Sequence, residues 1–250
     1  MVTSAMNDSL TTAFSDMEIK AALDQIGALK ASGPNGMPAV VFKKYWQLMG
    51  KNIIEEVRHV LEGGEMPTRW NDTHVVLIPK VKNPTLLTQF RPISLCNVLY
   101  KIASKVIANR LKSVLPDIIS KEQSTFVPGH LITDNIIAAY ECLHFMKRNK
   151  AQKNMHCALK LDMMKAYDRV ELNYLKEIML KLGFTSRWVN IVMGMVTSVS
   201  FSVLFNGEKL EEFEPTRGIR QGDPISPYLF LLAAEGLSCL LKTRVQSSNL

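Results

Sequence analysis

The sequence predicts an α+β fold, helices with a few short antiparallel strands, and three observations predict it. Several stretches place apolar residues every three to four positions, the spacing of a helix packed on one face. Two short runs, His74-Val-Val-Leu-Ile78 and residues 199–205, are instead β-branched or alternate with period two. The second run ends in Asn206-Gly207, the dipeptide that most strongly marks a two-residue hairpin turn.

Residues 1–14 show no period and read as a loose lead-in. Ser15-Asp-Met-Glu18 is a capping box, and Ile19, Leu23 and Ile26 follow on one helical face. A turn rich in glycine and proline, residues 30–38, leads to Pro38, a suitable first residue for the next helix. Val41, Phe42, Tyr45, Trp46 and Met49 keep the helical spacing. Gly50 reads as an interruption, after which Ile53, Ile54, Val57, Val60 and Leu61 form a helix that Gly63-Gly64 stops.

Beyond the strand at residues 74–78, a polar loop precedes Phe90-Arg-Pro-Ile-Ser-Leu95, an extended return whose proline favours a sheet edge. Residues 97–115 make a strong helix, ended by Pro116, with Leu99, Ile102, Ala103, Val106, Ile107 and Val114 on one face. Lys101, Lys105 and Lys112 gather on the opposite face as a positive stripe. Arg110 projects from the apolar side, where it must snorkel or meet a partner. Residues 123–130 form a loop, Asp134 caps a helix to Lys147, and a polar link, residues 148–154, closes this half.

Asp168 and Glu171 have capping-box spacing for a helix through Tyr174, Leu175, Ile178 and Leu182 to Gly183, and another helix begins near Ser186. After the hairpin, residues 217–226 form a polar, glycine-marked loop. It opens onto residues 227–234, apolar on nearly every side and so read as a buried helix.

At 250 residues and 47% hydrophobic, the chain can bury a sizeable core. No apolar run approaches the ~18 residues of a membrane helix, and the N-terminus lacks the pattern of a signal peptide. Cys96, Cys142, Cys157 and Cys239 lie far apart in mostly apolar surroundings, the usage of reduced, buried thiols in an intracellular protein. The nucleus is compatible with this, although no targeting signal is read. No histidine pairs with cysteine at zinc-motif spacing.

The net charge of +7 is concentrated: no acidic residue lies between Asp72 and Asp117, where Lys80, Lys82, Arg91, Lys101, Lys105, Arg110 and Lys112 fall. The rest of the chain is balanced. Such segregation fits a solvated basic face or a polyanion partner.

Cys157, Leu159 and Leu161 alternate with Ala158, Lys160 and Asp162, so Asp162 would stand at the C-terminal end of a strand. On these residues alone it is either a turn-capping carboxylate or part of a site placed at a strand end.

Four segments, KASGPNGMPAVVFKKYW, VVLIPKVKNPTLLTQFRPISLCNVLYKIASKVIANRL, KLDMMKAYDRVE and RGIRQGDPISPYLF, occur in one order. Together they resemble the reverse transcriptase domain of non-LTR (LINE-type) retrotransposons, especially plant ones, over nearly the whole chain from about Ser15. The resemblance implies a right-hand polymerase: fingers at residues 15–154 and part of the palm at residues 155–250. It implies nucleotidyl transfer with two Mg²⁺ (or Mn²⁺) ions, an RNA template, a DNA primer and deoxynucleoside triphosphates. Asp162 matches the first metal-binding aspartate, with the Met163 carbonyl as a neighbouring ligand. Tyr167 matches the aromatic residue that crowds a ribose 2′-hydroxyl, though core packing is its other reading. Lys80 and Arg91 match residues that meet the triphosphate, and Gln221 and Gly222 the segment beside the nascent base pair. Lys101, Lys105 and Lys112 would meet template phosphates. For Arg217 and Arg220, nucleic-acid contact and structural pairing stay equally open.

The sequence departs from the family pattern at Asn35 (commonly Asp), Ser32 (Pro), His130 (Arg) and Met164 (a small residue). It holds no Asp-Asp pair, the family's second catalytic box, and no thumb or upstream endonuclease segment is read. The expectation is therefore a truncated domain, inactive alone. The alternatives are a non-catalytic RNA- or DNA-binding module and a fragment of a decayed element.

Overall fold

The computed structural model describes residues 1–123, 125–129, 131–148 and 157–247. Two β-hairpins build its sheet. Strands β1 (Asp72–Pro79) and β2 (Phe90–Cys96) pair antiparallel, with Ile78 opposite Arg91. Strands β3 (Ser200–Phe205) and β4 (Glu208–Phe213) pair around Asn206-Gly207, both at positive φ as a tight hairpin turn requires. The sheet order is β2-β1-β3-β4, and the hairpins join through a parallel β1–β3 ladder with Asp72 opposite Ser200. The α+β expectation holds, but the sheet is mixed: neither run advertises a parallel partner more than a hundred residues away.

The described residues also form nine helices: α1 (Ser4–Thr11), α2 (Asp16–Gln25), α3 (Ala39–Lys44), α4 (Trp46–Leu61), α5 (Val98–Ile118), α6 (Ile132–Arg148), α7 (Leu172–Lys181), α8 (Ser186–Thr197) and α9 (Ser226–Gln246). The core is organised on α5, whose Ile102, Ala103, Val106, Ile107, Leu111 and Leu115 are buried against α2, α4, α1 and α9. Each fully buried Leu or Ile contributes about 1.5–3 kcal/mol relative to exposure.

Arg110 is the cation that had to find a partner, and it finds several. Its guanidinium pairs with both Glu18 carboxylate oxygens, donates to the carbonyls of Leu10, Thr12 and Ala13, and lies 3.7 Å from the centre of the Phe14 ring. Those contacts explain one correction. Residues 1–14 are not a loose lead-in: α1 is capped by the Thr3 hydroxyl, and Leu10 and Phe14 are buried. Too few apolar residues mark this short helix for a period to emerge. Asn7 fastens it to the far half of the chain, donating to the Gly183 carbonyl and accepting from the Thr185 amide.

Other expectations change for local reasons. Gly50 does not interrupt a helix; the break falls at Tyr45, and α4 runs through Gly50, where the Trp46 ring fills the space a Cβ would need. Pro116 does not end α5, which continues to Ile118 because Ile118 and Ile119 are buried. Asp168 does not cap α7. The chain makes a 3₁₀ turn at Tyr167–Arg169 instead, and Glu171 precedes the helix without a side-chain cap.

Only the first half of α9 is buried; Leu240, Leu241 and Val245 are exposed. Cys96 is buried, whereas Cys142, Cys157 and Cys239 are exposed free thiols, so apolar neighbours in sequence did not become apolar neighbours in space. The link at residues 149–154 and His130 lie outside the described residues, as does the division expected at 154/155. Among the described residues no helix is long and apolar enough to cross a membrane.

Candidate functional site

Three motif segments meet on one loop, residues 217–223. The Gly218 amide donates to the Val170 carbonyl at 2.8 Å and the Ile219 amide to the Tyr167 carbonyl at 2.9 Å. Three residues on, the Ser94 amide of β2 donates to the Gln221 carbonyl at 2.8 Å. The two glycines make these approaches possible. Gly218 and Gly222 have φ of 94° and 109°, and a Cβ on either would meet the Asp168 or Ser94 carbonyl oxygen at 3.1 Å. The sequence reading placed Gln221 and Gly222 in the site but missed Ser94, whose role is carried by its backbone.

Lys80 and Arg91 stand on the β1–β2 hairpin. Lys80 directly follows β1, its amide bonded to the Gln89 carbonyl, and its Nζ donates to the Thr88 carbonyl at 3.2 Å. Arg91 pairs with Ile78, two residues before Lys80, so strand alternation sets both cations on the same face of the hairpin. Ile93 shares that face, and its Cγ2 lies 3.8 Å from where a Gly222 Cβ would be. Both cations are exposed.

Asp162 borders a cavity of about 420 Å³ that is also lined by Met163, Arg169, Tyr174, Phe230 and Leu237. The strand expected at residues 157–161 is absent. This segment joins no ladder among the described residues, and Leu159 and Leu161 are exposed, so Asp162 sits on an open rim rather than at a strand end. Period two is necessary for a half-buried strand, but a strand also needs a hydrogen-bonding neighbour.

Tyr167 is half-buried and stacks on Phe230 with ring centres 5.4 Å apart, and burial raises its phenol pKa. Phe230, which the sequence reading treated only as core, thus links the Asp162 cavity to Tyr167. Among the described residues, no three His, Cys, Asp or Glu side chains come together to hold a metal ion. The oxygen chemistry of Asp162 suits magnesium, but this donor set alone does not complete a site.

The lysine stripe divides. Lys101 is buried, its Nζ donating to the Ala31 carbonyl at 3.0 Å, and burial lowers its pKa. It braces the Gly-Pro turn instead of facing a template. Neighbouring Asn97 does similar work: its amide donates to the carbonyls of Arg69 and Trp70, and its oxygen accepts from the Asn35 amide. Lys112 is exposed and Lys105 half-buried; burial, with the charges of Lys112 and Lys30 nearby, lowers the Lys105 pKa. Of the two arginines left open, Arg217 is exposed and 3.4 Å from Glu171, whereas Arg220 is buried and ion-paired with Asp223 at 2.8 Å.

Comparison with known proteins identifies the family. Residues 78–250 match the family described as reverse transcriptase (RNA-dependent DNA polymerase). The chain is 32% identical over 245 residues to an uncharacterized 149 kDa protein of transposon TX1 from Xenopus laevis, which covers 98% of the chain and 18% of that protein. It is 25% identical over 189 residues to the Pol polyprotein of a type-1 R2 retrotransposable element of Popillia japonica, covering 74% of the chain and 25% of the relative. It is 26% identical over 181 residues to an RNA-directed DNA polymerase from mobile element jockey of Drosophila melanogaster, covering 71% and 19%. The chain spans a quarter or less of the length of each of these relatives. With its motif segments meeting on a single loop, the chain belongs to the reverse transcriptase family, among the proteins of non-LTR retrotransposons.

Proposed function

We propose that this chain supplies the fingers and the first part of the palm of a retrotransposon RNA-directed DNA polymerase, dividing near residues 154/155. It would bind an RNA template paired to a DNA primer and an incoming deoxynucleoside triphosphate. The observation that supports this most is the convergence of Ser94 with Gln221, Gly218 with Val170 and Ile219 with Tyr167 through three backbone hydrogen bonds, which gathers residues matched to nucleotide contact.

In this reading Arg91 grips phosphate oxygens through its planar fork and Lys80 adds a mobile point charge. Tyr167, braced by Phe230, presents a ring to the sugar. Gln221 and Gly222 bring backbone close to the base pair. Asp162, with the Met163 carbonyl, would contribute to holding magnesium or manganese, which lowers the barrier by neutralising charge on the transferred phosphoryl group. Lys105 and Lys112 would meet template phosphates, whereas Lys101 is committed to the Ala31 carbonyl.

One carboxylate is fewer than such chemistry uses, so the isolated chain is expected to bind its substrates without joining them. Primer extension on an RNA template with Mg²⁺ or Mn²⁺ tests this. Little or no incorporation is expected, and robust incorporation abolished by Asp162→Ala would overturn it. A binding module without catalysis shares the basic face; it differs in requiring no nucleotide site, which titration with a deoxynucleoside triphosphate separates.

A further inference from the structure

Arg220 and Asp223 flank the two residues matched to nucleotide contact, and both are buried while Gly222 between them is exposed. Asp223 accepts from the Tyr100 hydroxyl at 2.7 Å, from the Ser104 hydroxyl, and from Arg220 at 2.8 Å. Ser104, one turn after Tyr100 on α5, also accepts from the Ile225 amide at 3.2 Å. Arg220 lies 4.0 Å from the centre of the Tyr100 ring and donates to the side-chain oxygens of Asn71 and Thr73, just before and within β1. Its guanidinium also reaches the Met195 carbonyl of α8 at 3.5 Å. Every member of this network is almost fully buried.

A buried ion pair is a poor way to gain stability, since apolar residues of equal volume commonly hold a core as well or better. What charges and directional hydrogen bonds do add is a single geometry. Here they fix both ends of a four-residue span, and its middle can then move little. The span carries the Gln221 carbonyl that meets the Ser94 amide and the left-handed Gly222.

We infer that Arg220 and Asp223, oriented by Tyr100 and Ser104, are positioning residues that hold Gln221 and Gly222 at the height where a nucleotide would meet them. This rests on the nucleotide-facing reading of Gln221 and Gly222; the placement of the turn itself does not. The device also gives α5 a role beyond its core: one face carries Lys105 and Lys112, and another sets the Gln221 turn.

Tyr100→Phe removes one hydroxyl while keeping the ring under Arg220, and Ser104→Ala removes the other. In the full chain, amide hydrogen exchange is to be followed at Ser94, Gly218 and Ile219, with Ile107 in the middle of α5 as the internal reference. Affinity for an RNA–DNA hybrid and for dTTP added to the hybrid complex is to be measured in parallel.

The expected result is exchange at Ser94, Gly218 and Ile219 at least tenfold faster with Ile107 unchanged, dTTP affinity several-fold weaker, and hybrid affinity unaltered. Unchanged exchange at the three amides overturns the inference. So does acceleration at all four in step, which would mark a general loss of stability. If the unsubstituted chain binds no dTTP while the three amides respond selectively, the nucleotide reading fails and the placement of the turn stands.

Discussion

The Ser94 amide and the Gln221 carbonyl, 127 positions apart in the chain, meet at 2.8 Å and tie the β1–β2 hairpin to the loop before α9. Through that bond the hairpin carrying Lys80 and Arg91 takes its register against Gly222. On the same loop, Gly218 and Ile219 hold the turn that carries Tyr167. The site is therefore organised by backbone groups, and its side chains are displayed from them.

Gly222→Ala should be costly for that reason. Its φ of 109° is strained for an L-residue, and the added methyl would meet the Ser94 oxygen at 3.1 Å. A loss of roughly 1–3 kcal/mol is expected, read as a lower midpoint in urea unfolding. Gly36→Ala also strains a positive φ, but nothing lies within 4 Å of the new methyl, so its cost should be smaller.

Lys112→Ala and Lys101→Met should fail in different ways. Lys112 is exposed, so its loss should leave the thermal midpoint unchanged and reduce the salt slope of RNA–DNA hybrid binding by about one. Lys101 bonds the Ala31 carbonyl from a buried position, so its replacement should cost roughly 1–3 kcal/mol of stability and leave the salt slope alone. Hybrid titrations at several salt concentrations, beside thermal melts, check both.

Glu18 gives the fold a pH dependence. Its hydrogen bonds to Arg110 hold its carboxyl below the usual range, against a smaller opposing effect of partial burial. A carboxylate with a depressed folded pKa contributes stability above its unfolded value, about 4.3, and loses it as pH falls through the lower folded value. Glu18→Gln should therefore lower the thermal midpoint at pH 7 and converge with the unsubstituted chain toward pH 3. Glu18 is more than a third exposed, so solvent screening limits the difference to about 1 kcal/mol, or roughly 2–4 °C. Melts from pH 3 to 8 measure it.

How much could be read in advance follows from how local each feature is. The Ser15–Glu18 capping box, the Asn206-Gly207 hairpin and the apolar face of α5 are written in neighbouring residues and stand as read. Arg110 could be flagged as needing a partner, but its identity, Glu18 and the carbonyls of Leu10, Thr12 and Ala13, lies 92 or more positions away. Lys101 misled because helical spacing places a residue on a face without saying what packs there; the turn at Ala31 covers it. The strand expected at residues 157–161 failed for a similar reason, since alternation describes a strand's faces and not its neighbours. Residues recognised by motif, Asp162 and Tyr167 among them, came with roles but without geometry. Phe230 and Ser94, which brace that geometry, had nothing local to announce them.

The central claim, that this assembly receives a nucleotide, is tested most directly by titrating the chain, bound to an RNA–DNA primer–template, with a fluorescent deoxynucleoside triphosphate in Mg²⁺. Saturable binding, weakened at least tenfold by Arg91→Ala while hybrid affinity changes little, is the result expected. No saturable binding, or binding indifferent to Arg91, would contradict it.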